Sequence, residues 1–470
     1  MKNYKKLITN AFILMLGSIG SKFGTFFLLP IYTHYLTTSE YGIADLSLTF
    51  INLLLPIITL SIFEMLMKKV IDNPEERLNY FVNASSILLV TNMIVWLVAC
   101  VLYGMGLIHL DEGISILMLS LVTLQSFTSL ILNYLRAINK TVVFAVTNVI
   151  VTLILFFSAI IMLKYLKLGL VGYLLANISS LIVVLFNIFI IFKEDRKKKH
   201  IDKLFIKELI RESLPLVPNT LMWWGINSAD KIFVVVYLGA SASGLFAAAN
   251  KLPMFLSMFS TVFFQAWQVS AIEEIKKENA PIFYTTVFNY FFLFMEIGML
   301  LLIILVKPIC TIMLSSQYDD VIQYVPLLIL ATYFSNISSF LGANCIAYGK
   351  TKFIFLSAVI CCMVNLVISP ISISWLGLHG AGISSAISFF VLSAIRFSKV
   401  KDLMQINVSF SAFYLRTLFV TIAIVLFVVL NSYILLFLSL GCILWIHRKE
   451  LTKIIQIGII QIKKLVFLLK

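Results

Sequence analysis

The sequence predicts an all-α, polytopic membrane protein, and three observations lead to this fold class. Apolar residues make up 61% of the 470 residues and Asp, Glu, Lys and Arg only 12%, against roughly 45–50% and about 25% in soluble proteins. The mean hydropathy of +1.02 leaves too few charges to cover a water-facing surface. Apolar runs of about 20 residues, the length of a membrane-spanning helix, recur from end to end, whereas a β-barrel would show alternating segments of about 10 residues.

The apolar runs predict about 14 transmembrane helices. The first run is too long for the apolar core of a signal peptide and has no A-x-A-like exit, so we expect it to be retained as a span. The last two runs are short and are separated only by Asn431 and Ser432, which predicts a C-terminal helical hairpin. The expected spans are 9–31, 43–67, 81–104, 113–135, 142–163, 168–192, 213–237, 243–268, 283–306, 321–345, 353–374, 378–396, 411–430 and 432–447.

The placement of basic residues predicts the orientation in the membrane. Of the 36 Lys and Arg residues, thirty fall on the side of the N-terminus and three on the opposite side. Such an excess marks cytoplasmic loops, so we expect both termini and the stretch 193–212 in the cytoplasm. Because the charges lie in short breaks between spans, we do not attribute the net charge of +14 to a nucleic-acid-binding surface. The tail at 448–470 is expected to form an amphipathic helix on the lipids of the inner leaflet.

An internal repeat predicts two lobes. At an offset of 202 residues Gly42 aligns with Gly244, and further along, at an offset of 210, Lys140-Thr141 aligns with Lys350-Thr351. The period is six spans, so both copies enter the membrane in the same direction, and transporters with such parallel repeats handle substrate between the halves. The predicted organisation is a six-helix lobe at 1–192, a basic linker at 193–212, a second six-helix lobe at 213–400, an extra hairpin at 401–447 and the tail at 448–470.

The sequence contains no enzyme signature. Gly349-Lys350-Thr351 resembles the end of a phosphate-binding loop, but that motif needs glycine where this chain has Asn344. There is no G-x-S-x-G or His-x-x-x-His motif, and the cysteines show no C-x-x-C spacing. We therefore expect neither an enzyme nor a protein that holds a cofactor or a metal ion.

Lysines within the predicted spans are the strongest functional candidates. A central Lys or Asp costs about 2.5–3.5 kcal/mol on insertion scales, so each implies a cavity or a partner. Lys22 lies about 20 Å into the first span, too deep to reach the inner surface, and Lys251 lies in span eight. We expect both to face a cavity, although Lys251 could instead pair with Asp230 on the preceding span. Asp230 and Lys231 are interpreted as a structural pair at the outer end of span seven.

Polar side chains at helical spacing accompany these lysines and predict a hydrated cavity. The alternative is hydrogen bonding between helices, worth about 0.6 kcal/mol for each bond. The coincidence of the polar stripes with the intramembrane lysines favours the cavity. Its candidate lining residues, besides the lysines, are Ser18, Thr25, Asn227 and Asn250.

Intramembrane carboxylates are candidates for coupling transport to an ion gradient. Because the sequence contains no ATP-binding loop, uphill transport would need such a gradient, and the membrane potential supplies about 2.3 kcal/mol per charge per 100 mV. Glu296, near the middle of span nine, is the first candidate, followed by Asp45 and Glu64. The alternative for Glu296 is a protonated side chain hydrogen-bonded between helices.

Several motifs resemble the polysaccharide transporters of the multidrug/oligosaccharidyl-lipid/polysaccharide exporter superfamily, which include the O-antigen and capsule repeat-unit flippases. The resemblance covers nearly the whole chain, with two six-span lobes and two extra spans. The residues that carry it are Gly17-Ser18, Ser21-Lys22, Phe26 to Thr33, Tyr35-Leu36, Glu40-Tyr41-Gly42, Ser228-Ala229-Asp230-Lys231, Ala249-Asn250-Lys251 and Gln265-Ala266-Trp267-Gln268.

The resemblance implies a flippase in the bacterial inner membrane that moves an undecaprenyl-diphosphate-linked oligosaccharide repeat unit to the outer leaflet. Lys22 and Lys251 would then receive the diphosphate, and the two lobes would rock to give alternating access. The polymerase and glycosyltransferases of the same pathway are the implied protein partners. Two alternatives stay open: a cation-coupled multidrug exporter of the same superfamily, and a scaffold for glycan assembly without transport.

Overall fold

The computed structural model describes residues 24, 26–107, 111–194, 201–274, 280–348, 350–404, 410–430, 432–448 and 452. All regular secondary structure in this part of the chain is helical, which confirms the all-α prediction. The predicted residues Ser18, Lys22 and Thr25 and nearly all of the tail at 448–470 lie outside the described residues.

The helices of the described residues follow one another with short connections. They are α1 Leu29–Tyr35, α2 Thr38–Ile58, α3 Ile62–Asp72, α4 Arg77–Gly104, α5 Glu112–Ala137, α6 Thr141–Ala159, α7 Gly169–Leu185, α8 Asn187–Glu194, α9 Lys203–Ser213, α10 Val217–Ala249, α11 Met254–Glu274, α12 Ala280–Ile304, α13 Val306–Met313, α14 Val321–Ala347, α15 Thr351–Leu376, α16 Leu378–Met404, α17 Phe410–Leu430 and α18 Ile434–Ile446. A π-helical turn, Ile160–Tyr165, extends α6, and 3-10 turns at Leu214–Leu216 and Ser316–Tyr318 precede α10 and α14.

Ten helical segments of the described chain are long and apolar enough to cross a membrane. Two shorter apolar helices, Thr417–Leu430 and Ile434–Ile446, lie where the C-terminal hairpin was expected. The total of 14 spans stays a prediction, because the first expected span, 9–31, lies mostly outside the described residues.

The described chain forms two compact units. The first contains the chain up to Lys251 together with Met313–Asp320 and Ala358–Ala381. The second contains Leu252–Ile312, Val321–Ser357 and the chain from Gly382 onward.

Helix α2 is shorter than the span predicted at 43–67. It begins with a capping box, in which the Thr37 hydroxyl accepts from the main chain of Glu40 and the Glu40 carboxylate accepts from the main chain of Thr37. It ends because Leu60 and Ser61 take left-handed backbone conformations, with φ of 50° and 51°. Glu64 therefore lies on the separate helix α3, where it is exposed.

Helix α10 joins two predicted spans. It contains a kink at Gly239, whose φ of 85° and ψ of 177° are accessible mainly to glycine. The helix continues to Ala249, inside the span predicted at 243–268, and turns at Asn250–Pro253 separate it from α11. Lys251 lies within this interruption, two residues before Pro253.

Each unit has its own apolar core. In the first, Leu66 of α3, Phe81 of α4, Tyr134 of α5 and Leu209 of α9 are buried in one cluster, so helix α9, in the second half of the predicted linker, packs against this unit. In the second, aromatic rings dominate the contacts between α11, α12 and α14: Phe263, Trp267, Phe283, Tyr284, Phe288, Phe291 and Phe340.

A candidate charged site on helices α2 and α10

Helices α2 and α10 approach most closely at two glycines. A Cβ atom at Gly42 would collide with the carbonyl oxygen of Ala240 and lie 2.7 Å from the Gly244 nitrogen. A Cβ atom at Gly244 would collide with the carbonyl oxygen of Thr38 and lie 3.2 Å from the Gly42 nitrogen. The backbones can come this close only because both residues lack a side chain. The Thr38 and Ser241 hydroxyls, 2.7 Å apart, add a hydrogen bond across the contact.

This contact is reciprocal. Thr38 aligns with Ala240, and Gly42 with Gly244, at the repeat offset of 202 residues. Gly42 contacts Ala240, and Gly244, the repeat equivalent of Gly42, contacts Thr38, the repeat equivalent of Ala240. Contacts across a two-fold axis are reciprocal in this way. The sequence aligned these positions, and the structure shows that they touch.

An ion pair lies less than one helical turn further along α2. The Lys231 ammonium donates to the Asp45 carboxylate, with 2.7 Å between Nζ and Oδ2. The Asp45 side chain is 9% exposed and that of Lys231 is 22% exposed. Lys251 lies within electrostatic range of both Asp45 and Lys231.

A third contact between α2 and α10 lies on the side of the ion pair away from the glycines. The Trp224 indole donates to the main-chain oxygen of Thr49 at 3.0 Å. Gly42, Asp45 and Thr49 lie three and four residues apart and so share one face of α2. The ion pair is therefore held between the glycine contact and the tryptophan hydrogen bond, which fix the spacing of the two helices.

The sequence predicted a pair between Asp230 and Lys231, whereas the described contacts of each are with other residues. Consecutive residues of an α-helix project about 100° apart, and the two side chains reach different neighbours. Asp230 is buried and accepts hydrogen bonds from Ser369 and, at 3.4 Å, from Asn365, both on α15. Lys251 lies within electrostatic range of Asp45 and Lys231, and its alternative pairing with Asp230 stays a prediction.

The remaining predicted residues lie at several places. Asn227 lies four residues before Lys231, on the same face of α10, and is exposed, with its side-chain amide donating to Trp223 O at 2.7 Å. Asn250 lies beside Lys251 and donates to Phe246 O at 2.8 Å. The contribution of Lys22 to this site is not described by the structure.

Of the three coupling candidates, the structure brings Asp45 into the charged site. Glu296 is fully buried on α12 in the second unit, and Glu64 is exposed on α3. Sequence reasoning missed Lys231 as a site residue. The repeat is the signal that could have identified it. If the aligned glycines Gly42 and Gly244 are assumed to touch across a two-fold axis, α2 packs against α10 and Asp45 lies on the face of α2 toward α10.

Residues 7–268, more than half of the chain, match the sequence profile of the family described as polysaccharide biosynthesis protein. The chain belongs to this family. Among curated proteins, no sequence matches it at a significant level.

Solved structures of flippases and exporters share the fold. The chain is similar to the lipid II flippase MurJ in an inward closed conformation, with a TM-score of 0.64 and 15% identity over 94% of this chain and 100% of that one. It is similar to the MATE transporter VcmN of Vibrio cholerae, with a TM-score of 0.60 and 12% identity over 85% and 97%. It is also similar to an outward-facing multidrug resistance MATE transporter of the MOP superfamily, with a TM-score of 0.58 and 15% identity over 85% and 96%.

The chain thus belongs to the polysaccharide biosynthesis family and has the fold of the MurJ flippase and the MATE transporters. At these identities the solved structures show the fold alone, so the substrate must be argued from the site.

Proposed function

We propose that the protein is a flippase that moves an undecaprenyl-diphosphate-linked oligosaccharide repeat unit, of the kind used for O-antigen or capsule, from the inner to the outer leaflet. The observation that carries this proposal is the pair of lysines around Asp45: Lys231 of α10 contacts this carboxylate, and Lys251, in the turn after α10, lies within electrostatic range of it. A membrane interior tolerates an unbalanced cation only where it meets water or an anionic partner. A diphosphate headgroup is such a partner.

The chemistry of the substrate fits the polar surroundings of the site. A polyprenyl chain is at home in hydrocarbon, whereas sugars and a diphosphate cannot cross it without replacement of their hydration. Lysines form charge-assisted hydrogen bonds to phosphate oxygens, and the exposed amide of Asn227 lies on the same face as Lys231. Lys22, Ser18, Thr25 and Asn250 complete the proposed site.

Alternating access is the proposed mechanism. Lobe 1–192 and lobe 213–400 would rock so that the site faces each leaflet in turn. Glu296 remains the candidate for coupling this cycle to an ion gradient. The Glu296→Gln variant is then expected to lose the dependence of transport on pH or membrane potential, and unchanged dependence would remove this role.

The proposed orientation places the protein in the bacterial inner membrane with both termini in the cytoplasm. The connection near Ser241 then faces the outside. A Ser241→Cys variant, made in a background without the exposed Cys100 and Cys442, should react with an impermeant maleimide in intact cells. Reaction only after permeabilisation would reverse the orientation.

Transport by the reconstituted protein tests the function directly. Vesicles that contain the full-length protein and a fluorescent undecaprenyl-diphosphate oligosaccharide are treated with an impermeant quencher, which reports movement between leaflets. We expect the parent protein to move the lipid, and Lys251→Ala and Lys22→Ala to slow it about tenfold or more by loss of a charge-assisted contact of roughly 1.5–3 kcal/mol. Lys22→Arg should keep part of the activity.

A matched control and two contrary outcomes complete this test. Lys307→Ala removes an exposed lysine of α13 and should leave the rate unchanged. Export of cationic drugs with no movement of the glycan lipid would favour the multidrug exporter. Absence of movement of either class, with normal glycan assembly in cells, would favour the scaffold for the polymerase and glycosyltransferases.

A further inference from the structure

The charged site already contains an anion, the Asp45 carboxylate, at the place where the diphosphate of the proposed substrate would bind. Asp45 contacts Lys231 at 2.7 Å and lies within electrostatic range of Lys251. The lysine is the more exposed member of the pair, 22% against 9% for the aspartate. An incoming anion would therefore meet the ammonium group first, while the carboxylate behind it already neutralises part of its charge.

The position of the carboxylate is fixed by the backbone. Gly42 and Gly244 set the distance between α2 and α10 on one side of the pair, and the Trp224–Thr49 hydrogen bond sets it on the other. Asp45 therefore cannot move away with its helix without breaking these contacts. Lys231, by contrast, carries its charge on a flexible four-carbon chain that can change partner.

We infer that Asp45 is an internal counter-anion that competes with the diphosphate of the substrate for Lys231 and Lys251, and that Lys231 is a direct ligand of that diphosphate. This inference rests on the proposed function and deepens it. In the empty site Lys231 pairs with Asp45, and in the loaded site it pairs with a phosphate oxygen. Asp45 then draws Lys231 back as the substrate leaves, which keeps binding weak enough for release.

The electrostatic balance gives the expected order of affinities. Among the described residues of the site, Lys231, Lys251 and Asp45 together carry a net charge of +1 in the parent protein. The charge becomes +2 in Asp45→Asn, zero in Lys231→Met, and +1 again in the double variant. Affinity for a diphosphate should follow this net charge, with about tenfold between successive steps at low ionic strength.

Binding measurements on the full-length protein in lipid nanodiscs test this order. The probes are undecaprenyl diphosphate without sugars and, separately, inorganic pyrophosphate. We expect Asp45→Asn to bind most tightly, the parent and double variant to bind about equally, and Lys231→Met to bind most weakly. If both probes give this order of affinities, the site recognises the diphosphate headgroup alone. If undecaprenyl diphosphate gives the order and pyrophosphate does not, recognition needs the headgroup and the lipid chain together. Absence of the order with both probes overturns the inference.

Transport kinetics separate this role from a purely structural one. Asp45→Asn should lower KM and kcat together, because tighter binding slows release, whereas a structural defect lowers the amount of folded protein. Lys307→Met, at an exposed lysine, is the control. If Asp45→Asn abolishes the pH dependence of transport with unchanged diphosphate affinity, Asp45 is a coupling carboxylate and the inference is wrong.

A second comparison keeps the test decisive if Asp45→Asn does not fold. The double variant removes both partners of the ion pair, which is better tolerated than the removal of one, and it should bind about tenfold more tightly than Lys231→Met. Equal affinities of these two variants would show that Asp45 does not compete for the cations. A failure of the proposed function is distinguishable, because the affinity order would hold while the parent protein failed to move the glycan lipid.

Discussion

Two cations inside the helical units are held in opposite ways. Arg396 of α16, in the second unit, is 1% exposed. Its Nε donates to the Ser357 hydroxyl at 3.0 Å and its Nη1 to the Ser338 carbonyl at 2.9 Å. Lys231, in the first unit, is partly exposed and pairs with one carboxylate that also lies within electrostatic range of Lys251.

The difference distinguishes a cation held by fixed neutral oxygen atoms from the lysine that we propose as a substrate ligand. The planar guanidinium of Arg396 has several directed donors, and α14 and α15 supply fixed oxygen atoms for them. Gly342 leaves the space it needs, since a Cβ atom there would lie 2.8 Å from Nη1. Arg396 would lose several buried hydrogen bonds if it left its partners. Lys231 is partly exposed and shares the Asp45 carboxylate with Lys251, so it can exchange this carboxylate for another anion.

The largest expected effect is on stability, at Arg396. Arg396→Leu should lower the free energy of unfolding by about 3–5 kcal/mol, because two hydrogen bonds to a charged group, each worth roughly 1.5–3 kcal/mol, are lost from the Ser357 hydroxyl and the Ser338 carbonyl. Thermal unfolding of the purified protein measures this. Arg136→Leu, at an exposed arginine that stacks on Phe144, is the control and should change little. Equal unfolding temperatures for both variants would remove the structural role of Arg396.

The contrast between these two sites also shows what the sequence could predict. Composition and apolar run length predicted the helical membrane fold, because they reflect burial in lipid, which acts on each helix separately. In the sequence, Arg396 ends the predicted span 378–396 and is one of the thirty basic residues expected on the cytoplasmic side. Only packing against α14 and α15 reveals its burial. The partner of Lys231 was likewise missed, because periodicity shows which residues share a helix face and not which helix that face meets.

The second expected effect is on the contact between α2 and α10. Gly42→Leu places a side chain against the carbonyl oxygen of Ala240, and overpacking of this kind costs about 1–3 kcal/mol. If closure at the proposed outer side depends on this contact, the variant should also expose Ser241→Cys to faster maleimide labelling. Gly441→Leu, where no atom lies within 4 Å of a Cβ, is the matched control. Identical labelling rates in the two variants would show that the glycine contact does not close this side.

The smallest expected effect concerns Lys69 of α3, whose cationic side chain is held by carboxylates on α9. Its ammonium donates to Glu208 and to Glu212, both at 2.6 Å, and the Tyr80 hydroxyl donates to Glu208 at 3.1 Å. The Lys69 side chain is 12% exposed, but the two glutamates are 39% and 35% exposed. Solvent therefore screens this cluster more than the Lys231–Asp45 pair.

Lys69→Met should lower the free energy of unfolding by about 1 kcal/mol or less. The loss should shrink as salt is added, because exposed charges are screened. Burial acts to lower the pKa of Lys69, but the hydrogen bonds to Glu208 and Glu212 outweigh it and raise the pKa above its usual range. A raised lysine pKa gives stability that is complete below the unfolded-state pKa and is lost only as the pH rises through the folded-state value. The effect of Lys69→Met should consequently be constant from neutral to mildly alkaline pH. Lys68→Met, at the exposed neighbour, is the control, and a loss at Lys69 that equals that of Arg396→Leu would contradict the ranking of these sites by exposure.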